Sequence, residues 1–120
     1  MSGHNRTLGA AGEAATAAWY EARGYRVLAR NWRCREGELD VVVARGSVLA
    51  FCEVKTRRTT AFGVPAEAVT LAKQRRLRTL AMRWLDDHPA SRARTLRFDV
   101  ASVLVPRDGP PVIDVIEGAF

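Results

Sequence analysis

The spacing of apolar positions along the chain predicts two helices and five strands. An alanine-rich stretch with Thr7 as a helix N-cap predicts a helix over Thr7–Arg23, and a second helix over Glu67–Asp87 is closed by Pro89. Runs of β-branched and apolar residues predict five strands, at Tyr25–Trp32, Glu38–Arg45, Val48–Arg57, Thr95–Val105 and Val112–Ile116. The order α-β-β-β-α-β-β, with short connections between the first three strands, favours an α/β sandwich in which helices flank a mixed β-sheet.

The second and third strands form a predicted hairpin that carries charged residues among apolar ones. Gly46-Ser47 is a plausible two-residue turn, and it sets the register of the pair. The expected partners are Arg45 with Val48, Ala44 with Leu49, Asp40 with Glu53, and Glu38 with Lys55. By alternation, Leu39 shares a face with Val41 and Cys52, and Asp40 shares the other face with Val42 and Phe51. Both faces are therefore apolar, so we expect a sheet that is covered on both sides.

Asp40 and Glu53 are the chemically informative pair of this hairpin. Two carboxylates directly opposite each other, about 5 Å apart at Cβ, destabilise a sheet. A divalent cation such as Mg²⁺ would offset that repulsion, and Lys55 emerges on the same face as Glu53. The alternative is an ordinary solvated face on which these groups form surface ion pairs, each worth under about 1 kcal/mol.

Glu13 is a third acidic candidate, because it falls in a stripe of small residues on the first predicted helix. A glutamate that packs on a sheet is costly unless it is paired or bound to a metal. Gly9 and Gly12 lie one turn earlier, where the lack of a side chain would let another backbone or a phosphate approach. The alternative is a partly exposed glutamate that the helix dipole favours.

Composition places the chain among globular proteins with an anionic partner. Its 120 residues are 48% hydrophobic and 27% charged, which predicts one domain over residues 1–120. The net charge is +6, and Lys55 and Lys73 are the only lysines, so most of the positive charge is arginine, which suits bidentate phosphate contacts. Polyanions are the expected partners, although a GC-rich genome also enriches arginine without selection for binding.

Other classes of site and location are disfavoured. The two cysteines and two histidines offer no zinc spacing and no Cys-His pair. The first residues lack the apolar core of a signal peptide, and no later stretch is long enough to span a bilayer. We therefore expect a cytoplasmic protein that does not bind membranes.

Several arginines are candidate nucleic-acid contacts. One arc of the second helix carries Arg75, Arg76 and Arg83, and the loop Thr56-Arg-Arg-Thr-Thr-Ala-Phe62-Gly, directly after Lys55, adds Arg57, Arg58 and the aromatic Phe62. The alternative for both groups is a solvated helix face and a surface loop. Asp99, in the middle of a strand, is expected to be the ion-pair partner of a nearby arginine.

Taken together, the motifs resemble a known group of enzymes. A helix with Glu13, followed by Glu38-Leu-Asp40 and Glu53-Val-Lys55, resembles the PD-(D/E)XK nuclease superfamily with its restriction-endonuclease-like fold, and archaeal Holliday-junction resolvases in particular. More narrowly, the chain resembles the YraN family of small bacterial proteins. The motifs that carry this resemblance are Gly9-x-x-Gly12-Glu13, Gly37-Glu-Leu-Asp40, Phe51-x-Glu-Val-Lys-Thr-Arg57, Phe62-Gly63, Lys73-Gln74 and Arg97-Phe-Asp99.

The resemblance implies a role for each site residue. Asp40, Glu53 and Glu13, with the carbonyl of Val54, would hold Mg²⁺ or Mn²⁺. Lys55 would orient the attacking water and help to deprotonate it, and Glu38 would tune Lys55 or hold a second metal ion. One departure from the superfamily pattern is that Leu39, rather than proline, precedes Asp40.

The expected function is therefore metal-dependent phosphodiester hydrolysis by a structure-selective endonuclease in DNA recombination or repair. DNA is favoured over RNA as the substrate, and a homodimer is left open. Two alternatives remain, a nucleic-acid-binding module of the same fold that does not cleave, and a basic interaction protein. The joint presence of Asp40, Glu53 and Lys55 favours the enzyme, because a pure binder has no need of opposed carboxylates that repel phosphate.

Overall fold

The order of elements in the computed structural model confirms the predicted α-β-β-β-α-β-β arrangement. The structure describes residues 3–59, 69–92 and 94–120, with side chains described from residue 7 onwards. The elements are α1 (Gly3–Glu21), β1 (Arg26–Cys34), β2 (Gly37–Arg45), β3 (Val48–Arg57), α2 (Leu71–Asp87), a 3₁₀ turn (Pro89–Ser91), β4 (Thr95–Leu104) and β5 (Val112–Ile116). Within these ranges, neither helix is long and apolar enough to cross a membrane.

The five strands form one mixed sheet in the order β1-β2-β3-β4-β5. β3 and β4 run parallel, and the three other neighbouring pairs are antiparallel. A parallel pair needs a crossover connection, and α2 lies in the segment that joins β3 to β4. β3 therefore lies at the centre of the sheet, with β2 on one side and β4 on the other.

Two hydrophobic cores cover the two faces of the sheet, as the hairpin pattern predicts. On one face, Val42, Leu49 and Phe51 pack with Leu80 and Trp84 of α2. On the opposite face, Val41, Val43, Ala50 and Cys52 pack with Tyr20 of α1. Since the central strands are buried on both sides, charged groups at their ends have little bulk water to face.

The hairpin register is confirmed, but its regular part is short. Paired residues run from Arg45 with Val48 to Val41 with Cys52, so the ladder ends one position before Asp40 and Glu53. Leu39 packs in the core under α2 and not, as alternation predicts, with Val41. The neighbouring strand is irregular here too, because Asn31, between the partners of Val41 and Leu39, has a φ of 51°. The β1–β2 register also shifts further along, between Val27 and Ala29. Strict alternation fails where the strands leave regular pairing.

The predicted helix starts are wrong by several residues. α1 begins at Gly3, so Thr7 lies inside the helix and is not its N-cap, and threonine is tolerated at such positions. α2 begins at Leu71 because Thr70 is its N-cap, with Oγ1 accepting a hydrogen bond from the Lys73 backbone N–H at 3.2 Å. The predicted start at Glu67 lies outside the described residues, but Val69 and Thr70, which the prediction included in the helix, precede α2. β1 extends to Cys34, and β5 has its predicted bounds.

Asp99 confirms the expected ion pair and anchors the C-terminal segment. Its carboxylate is fully buried and accepts hydrogen bonds from Arg97 Nε at 2.8 Å and Arg97 Nη2 at 2.9 Å. Tyr20 Oη donates to it at 2.5 Å, and the Gly118 backbone N–H donates at 3.0 Å. A buried carboxylate is tolerated when its oxygens are satisfied in this way. Asp99 thus links α1, β4 and the C-terminus behind the central strands.

Gly12 allows α1 to approach β3 closely. A Cβ on Gly12 would collide with Thr56 Oγ1 and stand 2.8 Å from Thr56 Cβ, so no side chain fits without movement. A Cβ on Gly9 would meet nothing within 4 Å. The expectation of close approach is therefore met at Gly12, where the neighbour is the side chain of Thr56, and not at Gly9.

These two glycines give a matched test of the packing. We predict that Gly12→Ala lowers the free energy of unfolding by about 1–3 kcal/mol, the usual cost of overpacking. Gly9→Ala should raise it by up to about 1 kcal/mol, because alanine is favoured over glycine inside a helix. Urea denaturation followed by circular dichroism would measure both changes. Equal stabilisation by both substitutions would contradict this packing of α1 on β3.

Candidate functional site

Asp40 and Glu53 meet where β2 and β3 leave the regular ladder. The Val54 backbone N–H donates to Asp40 Oδ2 at 2.8 Å, which holds the Asp40 carboxyl across the two strands. The Glu53 side chain lies beside this carboxyl, close enough to raise its pKa. Burial and, next to it, the charge of Glu53 together raise the pKa of Asp40 to about 7. The expected juxtaposition of these two acids is therefore present.

Two amines lie at the same point. Lys73 Nζ lies 3.4 Å from Glu53 Oε1, and the Lys73 side chain lies beside that of Lys55. Burial lowers the pKa of Lys55, and the neighbouring Lys73 lowers it as well. Because β3 supplies Glu53 and Lys55 while α2 supplies Lys73, the site forms only when α2 docks on the sheet.

A cleft of about 240 Å³ opens onto Asp40, Glu53 and Lys73. Its walls come from the start of β2, the middle of β3 and one side of α2. The lining residues are Gly37, Glu38, Asp40, Glu53, Lys73, Arg76, Leu77 and Leu80. Charged groups thus line the part near the strands, and leucines of α2 close the other part.

Glu13 lies near the acidic pair without joining it. Its charge is one of the influences that raise the pKa of Asp40. Burial raises the pKa of Glu13 itself, Glu38 raises it further, and Arg30 and Arg33 act in the opposite direction. Among the described residues, no three acidic, histidine or cysteine side chains come together as metal ligands. The structure therefore assembles Asp40 and Glu53, with Glu13 outside the pair.

Glu38 has a different partner from the one that the hairpin register predicts. Its Oε2 lies 3.1 Å from Arg33 Nε, and these two residues are opposite each other on β1 and β2. The expected pairing of Glu38 with Lys55 is wrong because the β2–β3 ladder ends at Val41, while the β1–β2 ladder continues to Gly37. Glu38 still lines the cleft.

The candidate phosphate-binding arginines separate into groups. Arg76 lines the cleft, and Arg75 is exposed on the same helix. Arg83 is held away from the cleft by an ion pair with Glu36, at 3.3 Å, in the β1–β2 turn. Arg57 ends β3 and is half-buried, as is Arg58, whose Nη1 donates to the Val105 carbonyl at 3.4 Å. Phe62 lies outside the described residues.

Lys73 is a candidate site residue that was not predicted from the sequence. Lys73 falls in the Lys73-Gln74 motif, for which no role in the site was predicted. A signal was present, because the chain contains only two lysines among nineteen basic residues and both converge on Glu53 and its neighbours. Since all other basic residues are arginine, the two lysines could have been predicted to lie in the same site.

The raised pKa of Asp40 predicts how stability depends on pH without metal. From its ordinary value of 3.8 up to about 7, the folded state binds a proton that the unfolded state has lost, so stability falls as pH rises through this range. Asp40→Asn removes this titration. Between pH 4 and pH 8, the free energy of unfolding of this variant should rise relative to that of the wild type by at most about 4 kcal/mol.

Urea denaturation at several pH values, in the presence of a chelator, measures this gain. Asp114→Asn, an exposed position on β5, is the matched control and should follow the wild-type curve. Parallel curves for the wild type and Asp40→Asn would show that the Asp40 carboxyl is not destabilised in the folded protein.

Comparison with known proteins identifies the family. The model of Uncharacterised protein family UPF0102 matches residues 12–103. A UPF0102 protein of Frankia casuarinae is 51% identical over 113 residues, which cover 94% of this chain and 95% of the relative. UPF0102 proteins of Acidothermus cellulolyticus, at 46% identity, and Rhodococcus opacus, at 44%, cover 94% and 98% of this chain and 92% and 98% of their own lengths. The chain therefore belongs to family UPF0102, the YraN family that its motifs resemble.

Proposed function

We propose that this protein is a metal-dependent endonuclease that hydrolyses phosphodiester bonds in DNA, with a preference for branched structures in recombination or repair. The observation that carries the proposal is the grouping of Asp40, Glu53 and Lys73 in the wall of one cleft, with Lys55 beside them. Phosphoryl chemistry needs carboxylates to hold a hard cation and amines to stabilise the negative charge that develops. Both kinds of group are within contact distance of each other here.

The donor set fits Mg²⁺ or Mn²⁺. The Glu53 side chain lies beside the Asp40 carboxyl, and a hard cation binds through one or two carboxylates while it keeps several waters. The Val54 carbonyl is a further candidate ligand, since the N–H of the same residue already binds Asp40. When bound, the cation would supply Lewis-acid polarisation of the phosphate. Glu13, which stands outside the pair, would act from a distance or through water.

Lys55 is the proposed acid-base and charge-stabilising residue. Its lowered pKa makes the neutral amine more accessible near neutral pH than in an ordinary lysine. A neutral Lys55 can accept a proton from water, and the charged form can stabilise the developing negative charge on the phosphate oxygens. Its position next to Glu53 on β3 keeps the amine at the acidic pair.

Arginines would hold the nucleic-acid backbone. Arg76 lies in the cleft wall, and Arg57 and Arg58 follow Lys55 in the chain after Thr56. The net charge of +6 favours association with a polyanion. Arg83 is a weaker candidate because phosphate would have to compete with Glu36 for its guanidinium.

A nucleic-acid-binding module that does not cleave is the second candidate. In its favour, Lys73 already neutralises Glu53, and no three-ligand metal set forms in the described part of the chain. This module would keep the cationic cleft without needing a bound metal. Cleavage and binding must therefore be measured separately.

We predict that Lys55→Ala lowers cleavage by about a hundredfold or more, the usual loss for one preorganised electrostatic group, while binding falls far less. The assay uses labelled linear, flapped and four-way-junction DNA in Mg²⁺ or Mn²⁺, and binding is measured in Ca²⁺. Arg76→Ala is the contrasting variant, because losing a backbone contact should weaken binding to every DNA and reduce its salt dependence.

Asp40→Asn with Glu53→Gln, purified in the same way, controls for contaminating nuclease and should be inactive. Cleavage by Lys55→Ala at the wild-type rate would remove Lys55 from the chemistry. Micromolar binding with no cleavage of any substrate by the wild type would favour the binding module.

A further inference from the structure

Lys73 occupies the position at Glu53 that a cation would take. Its Nζ is 3.4 Å from Glu53 Oε1, and the two side chains are only 26% and 13% exposed. A pair that is largely shielded from water interacts more strongly than a surface ion pair. The ammonium of Lys73 is thus the resident counter-ion of Glu53.

The balance of charges in the cleft sets a limit on what can bind. Glu53 already has a counter-ion without any metal, because the Lys73 ammonium lies 3.4 Å from its carboxylate. A divalent cation at Asp40 and Glu53 would add two positive charges next to the Lys73 ammonium. Like charges at such a distance repel, so one cation has to leave Glu53.

Lys73 is the cation that is free to move. Glu53 and Lys55 are on the central strand of the sheet, whereas Lys73 lies in the first turn of α2 and reaches the cleft through a flexible four-carbon chain. Arg76 lines the cleft one turn further along the same helix. A Lys73 amine released from Glu53 would therefore lie near Arg76 and the N-terminus of α2, both of which favour a phosphate.

We propose that Lys73 is a displaceable counter-ion, which neutralises Glu53 in the metal-free protein and moves to a phosphate of the bound nucleic acid when a divalent cation binds. This inference rests on the proposed function, since it takes Asp40 and Glu53 as the cation ligands. It makes Lys73 a positioning residue that links metal binding to substrate binding. The coupling is reciprocal, so metal should strengthen the contact between Lys73 and DNA.

Metal affinity tests the first half of this proposal without any DNA. Titration calorimetry with Mn²⁺ should show that Lys73→Met binds about tenfold more tightly than the wild type, because the competing charge is gone. Lys73→Gln provides a second neutral variant if Lys73→Met is unstable. Lys73→Arg keeps the charge and should not gain affinity. Arg107→Met, in the exposed turn between β4 and β5, controls for net charge and should stay within about twofold of the wild type.

The results separate this inference from the proposed function. If Asp40→Asn abolishes Mn²⁺ binding but Lys73→Met and Lys73→Gln match the wild type, Lys73 is not the competitor and only the inference fails. If the wild type and both neutral Lys73 variants do not bind Mn²⁺, or if Asp40→Asn binds it as well as the wild type does, the metal site and the inference fail together.

DNA affinity tests the second half. In Ca²⁺, Lys73→Met should bind a four-way junction several-fold more weakly than the wild type, whereas in a chelator the two proteins should differ by less than about twofold. A purely structural role for Lys73 would give the same ratio under both conditions, and that result would overturn the proposed movement.

Discussion

The juxtaposition of the Asp40 and Glu53 carboxyls is the constraint on which the site depends. β2 and β3 are buried on both faces by two separate cores, and the turn at Gly46 fixes their register. The two acids cannot slip past each other or turn into bulk water without disturbing that packing. The cost of holding them together is reduced by the Val54 N–H, by the proton that the raised pKa of Asp40 retains, and by the Lys73 ammonium.

The rest of the fold fixes where these groups stand. β3 is the central strand and supplies both Glu53 and Lys55, while the crossover through α2 brings Lys73 back to the same point. Behind this strand, Asp99 ties α1, β4 and the C-terminus together through four hydrogen bonds. The close approach at Gly12 holds α1 against the end of β3. Rigid surroundings of this kind are what a preorganised electrostatic site needs.

The hairpin was predictable because its signals are local. A Gly-Ser turn between apolar runs sets the register, and counting outward brings Asp40 to Glu53. The predicted register is wrong for residues whose position also depends on β1. Glu38 has β1 as its other neighbour and pairs with Arg33, and Leu39 changes face where regular pairing ends.

The contacts of α2 were not predictable from local pattern. The helical pattern predicts that Arg83 is exposed and available to phosphate. In the structure it forms an ion pair with Glu36, which lies in the β1–β2 turn. Lys73 acquires its role only when the crossover places α2 above β3. Such contacts depend on how a helix docks, which neither periodicity nor composition contains. The rarity of lysine in this chain was the one accessible hint.

The proposed metal site is tested most directly by a crystal structure of the protein grown with Mn²⁺ and examined by anomalous diffraction. We expect a single strong peak in the cleft, within coordination distance of one carboxylate oxygen of Asp40 and one of Glu53, with Lys73 no longer bound to Glu53. A map without a peak at saturating Mn²⁺, with Lys73 still on Glu53, would rule out this metal site.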